Sequence, residues 1–417
     1  MTETTKQRKF GPGFLVAAAF VGPGTIATAS KAGSAFGYTL LWAVLFSVLA
    51  TLILQEMTAR LGVVTNQGLG ASLRSIFSNP VLRIGTVALV IMAILFGNTA
   101  YQAGNITGAA SGLGDLFSLN FKWFVVPIGL LAWLLLMSGR ISIIQNVLIV
   151  LVFFMSALFV LAAIVVRPNL GQIFQGSLIP TVPADAWISI LALIGTTVVP
   201  YNLFLHSSAA ATNWGDSQER TKSLRAARWD SHCSILVGGL ITASILITAS
   251  VAFGQGEQKK LVEIAKQLEP ILGSASPWVF GVGMFAAGLT SAITAPLAAA
   301  YATSGCLGWN SKVGDIRFRA VFTAVILFGM ITCLAFNSGK SPTQLIIVAQ
   351  LANGLLLPIV AIFLLIVMNN SKLLGEYKNG WLANLSGFAL LAVTLLIGGN
   401  SIFKAISATL GLFSTPA

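Results

Sequence analysis

Phe20-Val21-Gly22-Pro23-Gly24-Thr25-Ile26-Ala27-Thr28 sets two glycines around a proline in the middle of a long apolar run. Proline removes a backbone donor and crowds the preceding turn, and glycine offers little resistance to unwinding, so a helix carrying this stretch breaks there. Five apolar runs later the chain reads Gly195-Thr196-Thr197-Val198-Val199-Pro200-Tyr201-Asn202-Leu203-Phe204-Leu205-His206. Pro200 again sits mid-run, with hydroxyls before it and Tyr201, Asn202 and His206 after it. Either proline alone would be an ordinary kink. Five runs apart, the two predict a pair of discontinuous helices in corresponding halves of an inverted repeat, with a substrate site between them at the bilayer midplane.

Composition requires the bilayer. Of 417 residues, 56% are hydrophobic and 9% charged, and the mean hydropathy is +0.87. A soluble domain carries about 25% charged residues. A helix needs about 20 apolar residues to cross the ~30 Å hydrocarbon core, and backbone polar groups in lipid must be paired internally. The runs are too long for barrel strands and do not alternate, so the chain reads as an all-α polytopic membrane protein. Eleven spans are expected, near 12–35, 40–61, 83–111, 121–139, 144–166, 184–212, 231–253, 275–305, 318–337, 343–369 and 382–412. They form a single transporter domain with a first repeat over 12–166, a second over 184–369 and one extra span.

The net charge of +12 is not a nucleic-acid signal, because the basic residues lie between apolar runs rather than in an aromatic-interleaved soluble segment. With the N-terminus inside, sixteen of the 24 Lys and Arg fall on the inner side. The positive-inside rule then places the N-terminus in the cytoplasm and, with eleven spans, the C-terminus outside, in the plasma (inner) membrane. The basic N-terminal segment runs into a first span too long and too Gly/Pro-rich for a cleaved signal peptide. Cys233, Cys306 and Cys333 are far apart and odd in number, and read as small core residues. No connection is long enough for a soluble catalytic domain. Two histidines without a mid-span carboxylate make neither a nucleophile–base set nor a metal-ligand set, so neither enzyme activity nor a resident cofactor is expected.

Several motifs in order then resemble the Nramp family of divalent-metal transporters. They are Gly11-Pro12-Gly13-Phe14-Leu15, Leu54-Gln55-Glu56-Met57-Thr58-Ala59-Arg60-Leu61-Gly62, Gly97-Asn98-Thr99-Ala100-Tyr101-Gln102-Ala103-Gly104-Asn105, and Pro200-Tyr201-Asn202-Leu203-Phe204-Leu205-His206-Ser207. The resemblance covers nearly the whole chain. It implies a LeuT-like fold with broken helices 1 and 6, and proton coupling. The chain departs from the family at the metal ligands. The Asp-Pro-Gly-Asn of span 1 reads Gly22-Pro23-Gly24-Thr25, the Met-Pro-His of span 6 reads Val199-Pro200-Tyr201, and the Tyr-Glu-Ala-Gly of span 3 reads Tyr101-Gln102-Ala103-Gly104. In span 10, Gln350 stands where the family places a Gln that can approach the metal.

A dehydrated divalent cation usually needs at least one carboxylate, and none of the twelve acidic residues falls near a span centre. Half-helices starting near Thr25 and Asn202 point N–H groups and positive dipole ends into the cavity. Lys31 and a protonated His206 add conditional positive charge. The expectation is therefore proton-coupled uptake of a small organic anion, a carboxylate such as citrate, by a monomer. The alternative is Mg²⁺ or Mn²⁺ held by neutral oxygens and water. Expected substrate contacts are Gly22, Gly24, Thr25, Thr28, Thr196, Thr197, Tyr201, Asn202, Gln350 and Lys31. His206 and His232 are expected to move protons, His232 beside Asp230 as part of a cytoplasmic gate. Asn98, Gln102 and Asn105 line span 3 as a pathway or as interhelical glue.

Overall fold

The computed structural model describes residues 21–139, 142–215, 219–254, 261–310, 313–336 and 341–410, with backbone alone for 142–145 and 404–410. The described chain is helical throughout its spans. α1 is Pro23–Phe36, α2 Leu41–Thr65, α3 Leu69–Ile76, α4 Pro80–Phe117, α5 Lys122–Ser138, α6 Ser142–Val165 and α7 Leu170–Leu178. α8 is Trp187–Thr197, α9 Pro200–Trp214, α10 Arg220–Phe253, α11 Ser276–Leu307, α12 Ile316–Ala335, α13 Pro342–Met368 and α14 Trp381–Leu410. Nine described stretches are long and apolar enough to cross a membrane. One of them, Pro23–Thr65, contains both α1 and α2, and α5 is a shorter apolar helix. These account for the eleven expected spans.

Span limits match expectation except where polar sequence continues a helix. α10 starts at Arg220 rather than near 231, since nothing between Arg220 and Ser231 breaks a helix. α4 runs from Pro80, where Asn79 caps the first turn by accepting from the N–H of Val81 and Leu82, to Phe117. The three longest of the short elements between spans were not expected. α3 buries Leu69, Ser72 and Leu73 on one face, α7 lies between spans 5 and 6, and a 3-10 stretch, Leu261–Leu268, buries Leu261, Ile264, Ala265 and Leu268.

The helices sort into two groups. α1, α2, α8, α9 and α10 pack mainly on one another, as do α4, α5, α11 and α12, while α13 lies against both α4 and α8. Close approach depends on missing side chains. A Cβ at Gly62 of α2 would run into the Ser207 carbonyl of α9, and one at Gly288 of α11 would meet the backbone and Cβ of Ala109 in α4. Cys306 and Cys333 are buried, as expected. Cys233 is exposed on α10, which corrects its assignment to the core, because its helix turns that face away from its neighbours.

Alternation of the spans puts Arg60, Arg74, Arg83, Arg228, Arg317 and Arg319 on one membrane face, called here the basic face. There Glu56 of α2 accepts from Arg60 at 3.0 Å and from Arg228 of α10 at 2.8 Å. Arg60 also donates to the Tyr377 carbonyl and to Asn379 Oδ1. On the opposite face Lys122 donates to the carbonyls of Leu334 and Phe336.

Candidate transport site at the two helix breaks

The break in span 6 forms where the sequence places it, and the described part of span 1 starts as a helix where the first break is expected. α1 begins at Pro23 after Gly22, whose backbone is extended (φ −95°, ψ 176°). The half of span 1 that precedes it, with Gly11-Pro12-Gly13, lies outside the described residues. In span 6, α8 ends at Thr197, Val198 leaves helical geometry (ψ 74°), Val199 is extended (ψ 119°) and α9 starts at Pro200. Leading N–H groups of α1 and α9 and trailing carbonyls of α8 therefore converge mid-span, so the break offers both donors and acceptors.

The side chains around it are buried, polar and uncharged. Thr25 Oγ1 and Thr196 Oγ1 are 3.0 Å apart and tie α1 to α8. Tyr101 of α4 and Tyr201 of α9 meet edge to face, with centroids 5.2 Å apart. The Gln350 amide lies flat on Gly24, where a Cβ would collide with it. A Cβ at Gly22 would sit 2.9 Å from Ser291 Oγ and 3.6 Å from Tyr101 Oη. Several buried atoms on the helices around it carry no hydrogen bond: Thr28 Oγ1, Ser291 Oγ, Gln102 Oε1, Gln350 Oε1, and both side-chain polar atoms of Asn105 and Asn202. Buried polar groups are nearly always paired, so such a concentration marks a place built for something polar.

Two amides are oriented by their own bonds. Gln102 Nε2 donates to the Ala292 carbonyl at 3.0 Å, and Gln350 Nε2 donates to the Ile346 carbonyl at 3.3 Å. Only the nitrogen end of an amide can donate to a carbonyl. Each side chain therefore has its donor end tied to a backbone and leaves its oxygen unpaired.

The expected residues divide. Gly22, Gly24, Thr25, Thr28, Thr196, Tyr201, Asn202 and Gln350 come together at the breaks. Thr197 is buried beside them but donates back to the Leu193 carbonyl of its own helix, at 2.9 Å. Lys31 is two turns further along α1 and part-exposed, and no hydrogen bond joins its side chain to the break. His206 turns to α2 and α10, where Nδ1 meets Thr58 Oγ1 and Nε2 meets Ser231 Oγ, each at 3.2 Å. His232 is half-buried on α10, next in sequence to Ser231. Neither basic group expected to attract an anion is hydrogen-bonded to the break. Among the described residues no three of His, Cys, Asp and Glu group as metal ligands.

Ser291 and Asn353 were missed. Asn353 lies one turn beyond Gln350 on α13, with its Nδ2 buried and unpaired. Its signal was the spacing of three from Gln350, and that of Ser291 was the hydroxyl run Thr290-Ser291 within an otherwise small-residue span.

Solved structures share this architecture. The manganese transporter of Eremococcus coleocola matches at 24% identity over 98% of this chain and 88% of that one, with a TM-score of 0.79. More distantly similar are Mhp1, a nucleobase-cation-symport-1 family transporter, in an inward-facing conformation (15% identity, 98% and 93% covered, TM-score 0.58), and MhsT in complex with L-phenylalanine (15%, 94% and 99%, 0.56). These likenesses establish the LeuT-like fold with broken helices 1 and 6. The family model described as "Natural resistance-associated macrophage protein-like" matches residues 13–404. This chain, with a helix starting at Pro23, a span broken at Pro200 and a family model matched along nearly its whole length, belongs to the Nramp family of membrane transporters.

Proposed function

We propose that this protein carries a hard divalent cation, Mg²⁺ or Mn²⁺, across the membrane, partly hydrated and held by neutral oxygens. The observation that carries this reading is the buried Gln350 amide, packed on Gly24 at the break with its Oε1 unpaired. Gln350 gives one amide N–H to the Ile346 carbonyl and leaves Oε1 unpaired, and the hydroxyls of Ser291 and Tyr101 lie at neighbouring Gly22. An oxygen-lined site with no fixed charge suits a cation that keeps much of its water, as Mg²⁺ does. Val199 before Pro200 supplies no sulfur, so softer metals gain nothing there. Membership of the Nramp family and the likeness to a manganese transporter support the same cargo.

The organic-anion reading keeps one observation of its own: α1 and α9 both start at the break, so leading N–H groups face it in a site without a carboxylate. Titration calorimetry of the purified protein with Mg²⁺, Mn²⁺ and a carboxylate panel including citrate separates the two. Saturable binding of either metal, with mutual competition, is the expected result. Carboxylate binding without metal binding would overturn the cation reading.

Coupling to protons is proposed through His206. Ser231 Oγ donates to the Ala227 carbonyl at 2.7 Å and Thr58 Oγ1 to the Gln55 carbonyl at 3.0 Å, so lone pairs face both ring nitrogens. An imidazolium satisfies both hydroxyls. A neutral ring satisfies one, unless a hydroxyl swings round. Proton gain and loss thereby reset the bonds among α2, α9 and α10. Differential cargo affinity of the two forms is what couples the fluxes. His206→Gln is expected to retain folding and to flatten the dependence of uptake on an imposed proton gradient; undiminished dependence would remove His206 from coupling. The distribution of Lys and Arg supports a cytoplasmic basic face, an inner N-terminus and an outer C-terminus.

A further inference from the structure

At the basic face, away from the breaks, a groove of about 480 Å³ opens between α3, the first turns of α4 and the end of α11. Its wall on α4 is the helical stripe Ile84, Val87 and Ile91, with Leu307 of α11 opposite. Ile84 is 66% exposed. Arg74 and Arg83 line the groove at its polar end, and no acidic side chain lines it. Both arginines are exposed, and neither makes a salt bridge or side-chain hydrogen bond among the described residues. The Arg74 guanidinium lies against Gly308, just past the C-terminus of α11.

We propose that this groove binds an anionic phospholipid of the leaflet on the basic face, with its phosphate on Arg74 and Arg83 and one acyl chain along α4. The two halves of the groove select such a ligand together. From Arg83 to Ile91 the stripe runs about 12 Å towards the hydrocarbon, at 1.5 Å per residue. A soluble anion would use the arginines and leave the stripe bare. A neutral hydrocarbon would fill the stripe and leave two forked cations unpaired. Guanidinium groups match phosphate oxygens in planar, two-point contacts, and basic pockets between spans on the cytoplasmic side are suited to anionic headgroups. The competing account is that both arginines only reach for water over an apolar stem.

Native mass spectrometry of the detergent-purified full chain tests this, with phosphatidylglycerol and phosphatidylcholine of identical acyl chains, and glycerophosphate as a headgroup without chains. Phosphatidylglycerol is expected to bind at least about tenfold more tightly than phosphatidylcholine, and Arg74→Gln/Arg83→Gln to lose roughly thirtyfold in its affinity. Ala88→Trp, which fills the groove while keeping both arginines, is expected to weaken phosphatidylglycerol binding and spare phosphatidylcholine elsewhere on the surface. Equal binding of the two lipids, or a preference surviving the double substitution, overturns the proposal. So does glycerophosphate binding as tightly as the lipid, or an unchanged affinity in Ala88→Trp.

Discussion

At Gly24 the absence of one carbon decides what the site can be. The Gln350 amide occupies the space a Cβ would need; its nitrogen donates to the Ile346 carbonyl, and its oxygen is left unpaired in the same contact. Hydrogen bonds and ion–dipole contacts to charged groups are worth about 1.5–3 kcal/mol each. Gln350→Leu, which keeps the bulk and removes the oxygen, should therefore cut kcat/KM for Mg²⁺ or Mn²⁺ uptake in proteoliposomes between about tenfold and a hundredfold. Gly24→Ala should do comparable damage by pushing the amide out of place. Gln350→Glu gives the test a sign. A carboxylate at this point should tighten divalent binding and slow release, whereas an anion carrier would bind its cargo more weakly. Weaker carboxylate binding in Gln350→Glu, with no divalent binding, would end the cation reading. Sequence alone could place Gln350 in span 10 but could not orient its amide, because the orientation comes from a carbonyl and a glycine-lined contact supplied by the fold. That is why the expectation moved towards an anion: missing carboxylates are visible in a sequence and tethered oxygens are not.

Elements were legible to the extent that their causes are local. Span lengths follow from apolar run length, and both breaks follow from Pro23 and Pro200, which act on their own turns. Short helices that depend on distant partners were not legible, and the 3-10 stretch Leu261–Leu268 is the clearest case. Its Gln267 is 1% exposed; it donates to Ser30 Oγ of α1 and accepts from Thr248 Oγ1 of α10 at 2.8 Å. The stretch thus straps the half-helix α1 to α10 on the face opposite the arginines. Four apolar residues hold the strap down without Gln267, so Gln267→Ala should loosen the bridge and leave the strap docked. In a background with the three cysteines replaced by serine, a cysteine at Thr28 should then react with an impermeant maleimide several-fold faster from that side. Equal labelling rates with and without Gln267 would mean that the bridge does not seal the site. The histidine belongs to this scale too: His206 was legible as a candidate proton carrier. Its position between Thr58 of α2 and Ser231 of α10 emerges only when three helices are packed.

For the whole molecule, the break lies between two helix groups that share few contacts apart from those at the site. Thr25, Gly22 and Asn202 come from one group, Tyr101, Gln102 and Ser291 from the other, and α13 brings Gln350 between them. A carrier must open such a site to each side in turn, and the cheapest motion slides or rocks one packed group against the other while each keeps its own core. Gly22 and Ser291 offer a direct check on that motion. A Cβ built at Gly22 stands 3.8 Å from the Ser291 Cβ, which matches the usual Cβ separation of a disulfide, about 3.8 Å. Gly22→Cys/Ser291→Cys should therefore oxidise readily in the conformation described here and lock α1 to α11 across the site. Uptake by the oxidised double variant is expected to fall to background and to return, on reduction, to the level of the two single variants. The single variants carry the steric cost of the new side chains, so the reversible part reports the lock. Oxidised protein that transports as fast as reduced protein would show that α1 and α11 keep their distance through the cycle. Opening would then have to come from the helices around them.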